Sequence, residues 1–252
     1  MSQGLVEVED SSPIATVFMN RPQVLNAYNE ELLDELIEKF YNLFERDDIE
    51  VIILTGRGTR AFTVGADINW LETLNSREAK KISNKGQEFC KALEKSSQVI
   101  IAAINGYALG GGTEIALACD LRIASTRARF GQPEVSLGII PGFDGTQRLP
   151  RIIGMGRAKE LLFTGNIIDA EKASEIGLVN KLVTPRDLLT ESKELAEEIT
   201  KQSSQAIKLV KRVINEGIDE KGSNLETEAF GDCFEDEEHH QRMKNFQEII
   251  SE

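Results

Sequence analysis

Two runs of uninterrupted, mostly β-branched apolar residues constrain this chain more than any other feature. They are Val51-Ile52-Ile53-Leu54-Thr55, closed by Gly56, and Val99-Ile100-Ile101-Ala102-Ala103-Ile104. A run without polar alternation has no face for water, so each predicts a strand buried on both sides. The flanking segments supply partners. Residues 5–8 and 14–19 read as strands around the turn Glu9-Asp10-Ser11-Ser12-Pro13. Asn29 offers an N-cap to a helical stripe of Leu32, Leu33, Leu36, Ile37, Phe40, Leu43 and Phe44. Ala61–Gly65 reads as a short strand and 77–96 as a helix. Gly110-Gly111-Gly112 leads into a helix through Ala118, and Leu121–Ala124 and Ala128–Phe130 read as strands. Strand, strand, helix recurs, which predicts an α/β fold with helices layered on sheets. After Pro150 the pattern turns helical over 151–163, 169–176, 187–201, 203–217 and 223–250, with a strand-like Leu178–Val183 between. A boundary is expected near Pro185, giving a core over 1–185 and a helical region over 186–252.

Composition narrows the function classes. The chain has 252 residues, 29 Lys plus Arg against 42 Asp plus Glu, and a net charge of −13. That surface repels a phosphate backbone, so nucleic acid is not an expected partner. With 40% apolar and 28% charged residues it has the balance of a folded domain, not of a disordered or fibrous chain. No stretch is long and apolar enough to span a bilayer, so no membrane is expected. Met1-Ser2-Gln3-Gly4 has neither a basic head nor a hydrophobic signal core. Cys90, Cys119 and Cys233 are scattered and odd in number, which predicts reduced thiols and a cytoplasmic location. His239 and His240 stand beside Glu235-Asp236-Glu237-Glu238. A metal site there is weighed against a solvated charged helix, and the helix is the expectation. A histidine-based triad would have to draw on that tail. Neither a Gly-x-Ser-x-Gly elbow nor a Gly-x-x-x-x-Gly-Lys phosphate loop occurs.

Three segments hold residues fit for chemistry. Asn105-Gly106-Tyr107-Ala108-Leu109-Gly110-Gly111-Gly112-Thr113-Glu114 places glycines between a buried strand and a helix. A ligand approaches such backbone closely, and the first amides of a helix favour negative charge in front of them. Glu114 falls in the first turn, where the dipole stabilises a carboxylate. The plainer alternative is a tight turn with an ordinary first-turn Glu. Ala61-Phe62-Thr63-Val64-Gly65-Ala66-Asp67-Ile68 ends a strand in small residues with open amides, or Asp67 is simply an N-cap. In Phe130-Gly131-Gln132-Pro133-Glu134, an acid precedes a mainly apolar run, where its pKa rises and acid–base work becomes available. The alternative is a surface Glu beside a proline turn.

In this order and spacing the segments resemble the enoyl-CoA hydratase/isomerase (crotonase) superfamily. The likeness starts at Asn20-Arg21-Pro22-Gln23-Val24-Leu25-Asn26-Ala27. It runs through the three segments above, Gly145-Thr146-Gln147-Arg148-Leu149, Leu162-Phe163-Thr164-Gly165 and Ala173–Val179, and so covers essentially the whole chain. It implies a crotonase-like spiral of ββα repeats with a C-terminal helical trimerisation region, assembled as a homotrimer or as a hexamer made of two trimers. It implies an acyl-CoA thioester as substrate and no separate cofactor or metal, CoA being part of the substrate.

By motif position the resemblance assigns an oxyanion hole to the backbone N–H groups of Ala66 and Gly111. Such donors stabilise the enolate-like oxygen that forms during the reaction. It assigns Glu114 to activating a water and Glu134 to delivering a proton to Cα. The isomerase branch needs only an acid at Glu134, so the presence of Glu114 favours a hydratase. Gln23, Val24, Leu25, Ala27, Gly65, Asp67, Ile68, Gly110, Pro133, Gly142, Phe143 and Phe230 are implied to border substrate and CoA, with Phe143 narrowing the acyl pocket. Rival activities are enoyl-CoA isomerisation, hydration of a cyclic or dienoyl-CoA, thioester hydrolysis, and non-catalytic acyl-CoA binding.

The chain also departs from the family pattern. Asp144 replaces the first glycine of Gly-Gly-Thr-Gln-Arg-Leu. A capping-box role with Gln147 is favoured there over a third carboxylate in the acyl pocket. Asn69 stands where a lysine is common, and Phe246-Gln247-Glu248-Ile249-Ile250 lacks the usual terminal basic run. The resemblance then implies either reduced affinity for the CoA phosphate end or its service by other basic residues such as Arg21.

Overall fold

The computed structural model describes residues 4–217, 222–234 and 238–249. Two compact units emerge, Met1–Ala196 and Glu197–Glu252. The expected boundary at Pro185 lies in the turn that precedes the helix crossing from one unit to the other.

The first unit opens with β1 (Val6–Ser11) and β2 (Ile14–Met19), an antiparallel hairpin in which Val6 faces Met19. Helix α1 (Glu30–Phe44) follows, capped by Asn29, whose side chain accepts from the Leu32 N–H at 3.1 Å. Its apolar stripe of Leu32, Leu33, Leu36, Phe40 and Leu43 is buried. Replacing Asn29 with Ala leaves that amide without its partner. Urea unfolding should show a loss of about 1 kcal/mol.

The repeat then recurs. β3 (Val51–Gly56) and β4 (Ala61–Thr63) lead into the short α2 (Ile68–Leu71) and the long α3 (Ser76–Lys95). A capping box between Asn75 and Glu78 fixes the start of α3. β5 (Val99–Ile104) and β6 (Tyr107–Leu109) lead into α4 (Gly111–Ala118), buried along its whole length. β7 (Leu121–Ser125) and β8 (Arg129–Gly131) lead into a 3-10 turn, Pro133–Leu137, and then α5 (Gly145–Ile153) and α6 (Met155–Thr164). β9 (Ile167–Asp169), α7 (Ala170–Glu175), β10 (Lys181–Val183) and α8 (Leu188–Thr200) complete the series.

The first strand of each repeat joins a six-stranded sheet in the order β1-β2-β3-β5-β7-β10, parallel except for the β1–β2 hairpin. The second strands form a smaller sheet, β4-β6-β8-β9, parallel up to the antiparallel β9. Both apolar runs, β3 and β5, are wholly buried at the middle of the larger sheet. Each repeat thus delivers a strand end and the loop after it to one region, and the chemistry-bearing segments lie on those loops.

Four local expectations need correction. The single helix over 151–163 is two, because Gly154 sits at φ +84, ψ 152, outside helical geometry. The helix over 223–250 is likewise α10 (Gly222–Asp232) and α11 (Glu238–Ile249). The strand expected over 178–183 keeps only Lys181–Val183. Leu178 donates back to Ala173 as the end of α7, and Asn180 is taken up by Arg122 through both backbone and side chain. β6 and β9 were not expected, being three residues each, one in a glycine-rich run and one largely exposed.

In the second unit α9 (Ser204–Glu216) is capped by Ser203, whose hydroxyl accepts from the Ala206 amide. Arg242 on α11 donates to the Lys201 carbonyl. The acidic run Glu235-Asp236-Glu237 and the terminal Ile250 lie outside the described residues.

Candidate active site

The loop after β4 is tied to residues 26–28 by specific bonds and lies close against the start of α4. Thr63 donates its hydroxyl to the Asn26 carbonyl at 2.7 Å and accepts from the Gly65 amide at 3.1 Å. The Tyr28 amide donates to the Gly65 carbonyl at 2.9 Å, and the Asp67 amide to the Tyr28 carbonyl at 2.8 Å. Ala66 is pinned between these two bonds. Gly65 stands at φ +86, where a Cβ would lie 2.9 Å from the Leu109 carbonyl and 3.0 Å from the Gly111 nitrogen. Only glycine lets the two loops approach this closely. Gly111 is the first residue of α4, so its N–H has no intrahelical acceptor. Among the described residues neither the Ala66 nor the Gly111 amide has a backbone or side-chain acceptor. Two adjacent, fixed, unused donors result.

Both candidate acids are buried, Glu114 2% and Glu134 7% exposed. Glu114 projects from the first turn of α4. One of its carboxylate oxygens accepts from the Phe143 amide at 2.8 Å and from the Gly145 amide at 2.7 Å. Burial raises its pKa, opposed by the amides of Gly145, Phe143 and Gly142 and by the charge of Arg148. Glu134 lies in the 3-10 turn after β8. Burial lifts its pKa to about 7; a backbone hydrogen bond opposes this and the charge of Glu114 adds to it. With its amide nitrogen turned toward Glu134, Gln132 donates to both carboxyl oxygens, at 2.8 and 3.0 Å. The surface-loop alternative for Glu134 is therefore overturned. The cause is the β8 turn, which directs the side chain inward.

Asp144 does not act as the expected capping box. Its side chain makes no cap hydrogen bond and its backbone is left-handed, at φ 68 and ψ 22. Its carbonyl starts α5 by accepting from the amides of Gln147 and Arg148, both at 3.0 Å. Its carboxylate faces Lys91 at 3.7 Å and Arg148 at 4.0 Å. The left-handed step turns the amides on either side of Asp144 onto the same Glu114 oxygen, a backbone anion nest. Exchange for Gly should keep this nest. Exchange for Ala keeps a Cβ in left-handed geometry, so the Ala variant should be less stable than the Gly variant by about 1–2 kcal/mol. Comparing the melting temperatures of the two variants checks this.

An acidic pair thus stands beside two free amides, on loops that follow the second strand of successive repeats. Known proteins share this plan. The Enoyl-CoA hydratase/isomerase family matches residues 9–251. The chain belongs to this family. Among its relatives are a short-chain-enoyl-CoA hydratase of Clostridium acetobutylicum, 45% identical over 96% of this chain and 94% of that protein, and a crotonyl-CoA hydratase of Syntrophomonas wolfei, 42% identical over the same shares. The crystal structure of an enoyl-CoA hydratase from Bacillus anthracis superimposes with a TM-score of 0.93 at 37% identity, over 97% of this chain and 96% of that one. The ββα series described above is accordingly the crotonase fold.

For a hydratase/isomerase family member, the placement of the motif residues is informative. Gly65, Ala66, Gly110, Gly111, Glu114, Pro133, Glu134, Gly142 and Phe143 all belong to the loops just described. Gln23 and Val24 lie in an exposed 3-10 turn, Pro22–Val24, and Leu25 closes it in left-handed geometry at φ 57. Ala27 is buried, Ile68 is exposed, and Asp67 caps α2 through the Asn69 amide. Phe230 lies on α10 of the second unit, exposed and packed against Phe234. Arg21 is not an open cation for a phosphate. Its guanidinium donates to the Ala27 carbonyl at 2.7 Å and pairs with Asp67 at 3.5 Å. Among the described residues no three His, Cys, Asp or Glu side chains gather as a metal site.

Two site residues carry no role in the sequence reading. Gln132 stands inside a motif whose chemistry centres on Glu134. Tyr28 stands outside every motif, although a tyrosine between a buried alanine and a helix cap has to find a polar environment for its hydroxyl.

Proposed function

We propose that this chain hydrates short 2-enoyl-CoA thioesters, adding water syn across Cα=Cβ to give a 3-hydroxyacyl-CoA. The single observation that carries this reading is the pair of buried carboxyls, Glu114 and Glu134, beside the free amides of Ala66 and Gly111. The names of the Clostridium and Syntrophomonas relatives support it.

The thioester carbonyl oxygen sits on the Ala66 and Gly111 amides, which hold the negative charge that moves onto it. Glu114 takes a proton from water as the oxygen adds to Cβ, and Glu134 gives its proton to Cα. The proton gained by Glu114 then passes to Glu134, and one water is consumed. The amides on Glu114 favour the charge there, while Glu134 near 7 holds the shared proton. Keeping both acids separates this reading from isomerisation, which needs one. No cofactor enters, because water and two carboxyls supply every atom and proton.

Exposed Gln23 and Val24, half-buried Leu25 and exposed Ile68 border the CoA moiety, with Ala27 and Asp67 behind them. Gly110, Pro133, Gly142 and Phe143 border the acyl group, and Phe230 flanks the adenine in the assembled protein. Residues 186–252 serve assembly into a homotrimer or a pair of trimers. Exposed Val210 and Ile214 on α9 support this, since apolar side chains left open on one helix mark a contact surface. The free cysteines support a cytoplasmic location. Mixing the protein with crotonyl-CoA tests the reading. The conjugated-thioester absorbance should fall and the product should gain the mass of one water, whereas migration of the double bond or free CoA would overturn hydration.

A further inference from the structure

Tyr28 is buried, 3% exposed, and its ring stacks on Phe143, 4% exposed, with centroids 5.6 Å apart and planes 17° apart. Neither ring has room to retreat. A Cβ on Gly86 of α3 would lie 2.0 Å from the Phe143 ring, so that ring occupies the place of a side chain on the helix. A Cβ on Gly111 would lie 2.0 Å from the Tyr28 hydroxyl, so the tip of Tyr28 rests on the first turn of α4. Both residues are also held by their backbones. Tyr28 bonds the loop that carries Ala66, and the Phe143 amide bonds Glu114. The Tyr28 hydroxyl is pushed to a higher pKa by burial first, then by the charges of Glu114, Cys90 and Glu134.

A 2-enoyl group has one way to lie among these parts. Its carbonyl is fixed at Ala66 and Gly111, its Cα and Cβ lie between the acids, and its CoA leaves toward the turn that exposes Gln23 and Val24. The carbons beyond Cβ run the other way, inward, and meet the stacked rings. We propose that the Tyr28 ring, backed by Phe143 against Gly86, is the wall that sets acyl chain length and confines this site to enoyl groups of about four carbons. This rests on the hydratase reading above. Each methylene that cannot be accommodated should lower kcat/KM by about 10–200-fold.

The test is the ratio of kcat/KM for 2-decenoyl-CoA to that for crotonyl-CoA in wild type, Tyr28→Ala, Tyr28→Leu and Tyr28→Phe. Wild type should have a ratio well below one. Ala and Leu should raise it at least about tenfold, and Phe, which keeps the ring, should leave it where it was. A purely structural Tyr28 would lower both substrates together and leave the ratio unmoved, which overturns the proposal. Inhibition of wild type by saturated decanoyl-CoA, compared with butyryl-CoA, tests the wall without any variant, and the longer chain should bind more weakly. Equal binding or equal turnover of the long and short chains overturns the wall alone. Failure of wild type to hydrate any 2-enoyl-CoA overturns the hydratase reading instead.

Discussion

Glu134→Gln should abolish nearly all hydration and, at pH 8, yield a more stable protein. The loss follows from the role proposed for it, the acid that protonates Cα. Removing a positioned proton donor costs roughly 10²–10⁴-fold in rate. Glu114→Gln should lose a similar factor, because the water then has no base. The gain follows from where the carboxyl lies. Glu134 titrates at about 7 in the folded chain against an ordinary 4.5. Below about pH 4.5 both folded and unfolded chains hold the proton, and the difference has no effect on stability. From there to pH 7 the folded chain binds more protons, so stability falls as pH rises. Above 7 the full penalty of about 3 kcal/mol applies. Glutamine buries no charge and escapes it. The variant should melt on the order of 5 °C higher than wild type at pH 8 and together with it near pH 4.5. Wild-type kcat/KM for hydration should fall as pH rises through about 7, as the acid form is lost. Thermal melts and rate profiles across pH 4.5–9 decide this. A Glu134→Gln protein that keeps wild-type turnover, or that melts lower at pH 8, would sink the assignment.

Gly111→Ala should be nearly as damaging, although it removes no functional side chain. The new methyl would lie 2.0 Å from the Tyr28 hydroxyl. Tyr28 is stacked on Phe143, which is itself pressed against α3, so the start of α4 has to move instead. That displaces the Gly111 amide from the place proposed for the thioester oxygen. Loss of one such donor lowers kcat by about 10²–10³-fold. The overpacked core should cost a further 1–3 kcal/mol of stability, an estimate drawn from inserted methylenes in close-packed interiors. Since the role proposed for the amide is to hold charge that develops in the transition state, kcat should fall far more than KM rises. Steady-state kinetics with crotonyl-CoA checks this, and an unchanged kcat would show that the amide is not a donor to the reacting oxygen.

Much of this arrangement is legible in the sequence because its signals are local. Uninterrupted β-branched runs announce β3 and β5, a side chain that accepts from Leu32 announces α1, and glycines announce the entry to α4. The acids stand out because each lies in a motif with its own physical reason. What escapes depends on contacts between distant segments. Nothing near Tyr28 in the chain shows that its ring meets Phe143, or that its backbone grips the Gly65–Asp67 loop. Asp144 misleads because Asp followed three residues later by Gln imitates a helix cap. The local pattern carries no sign of the left-handed turn that two amides on Glu114 require. β6 and β9 are stabilised by pairing within the smaller sheet and not by their own composition.

The order of the larger sheet has a consequence for how the protein acquires activity. Outside the β1–β2 hairpin, its neighbours β3, β5, β7 and β10 pair across long intervening stretches, and parallel pairs of this kind form slowly. The site draws on the chain at residues 26–28, 63–67, 110–114 and 132–145, so it is not complete until those crossovers have closed. Helix content should therefore return early in refolding and catalysis late. An emerging chain on the ribosome should remain inert at least until the chain through Gly145 has been made.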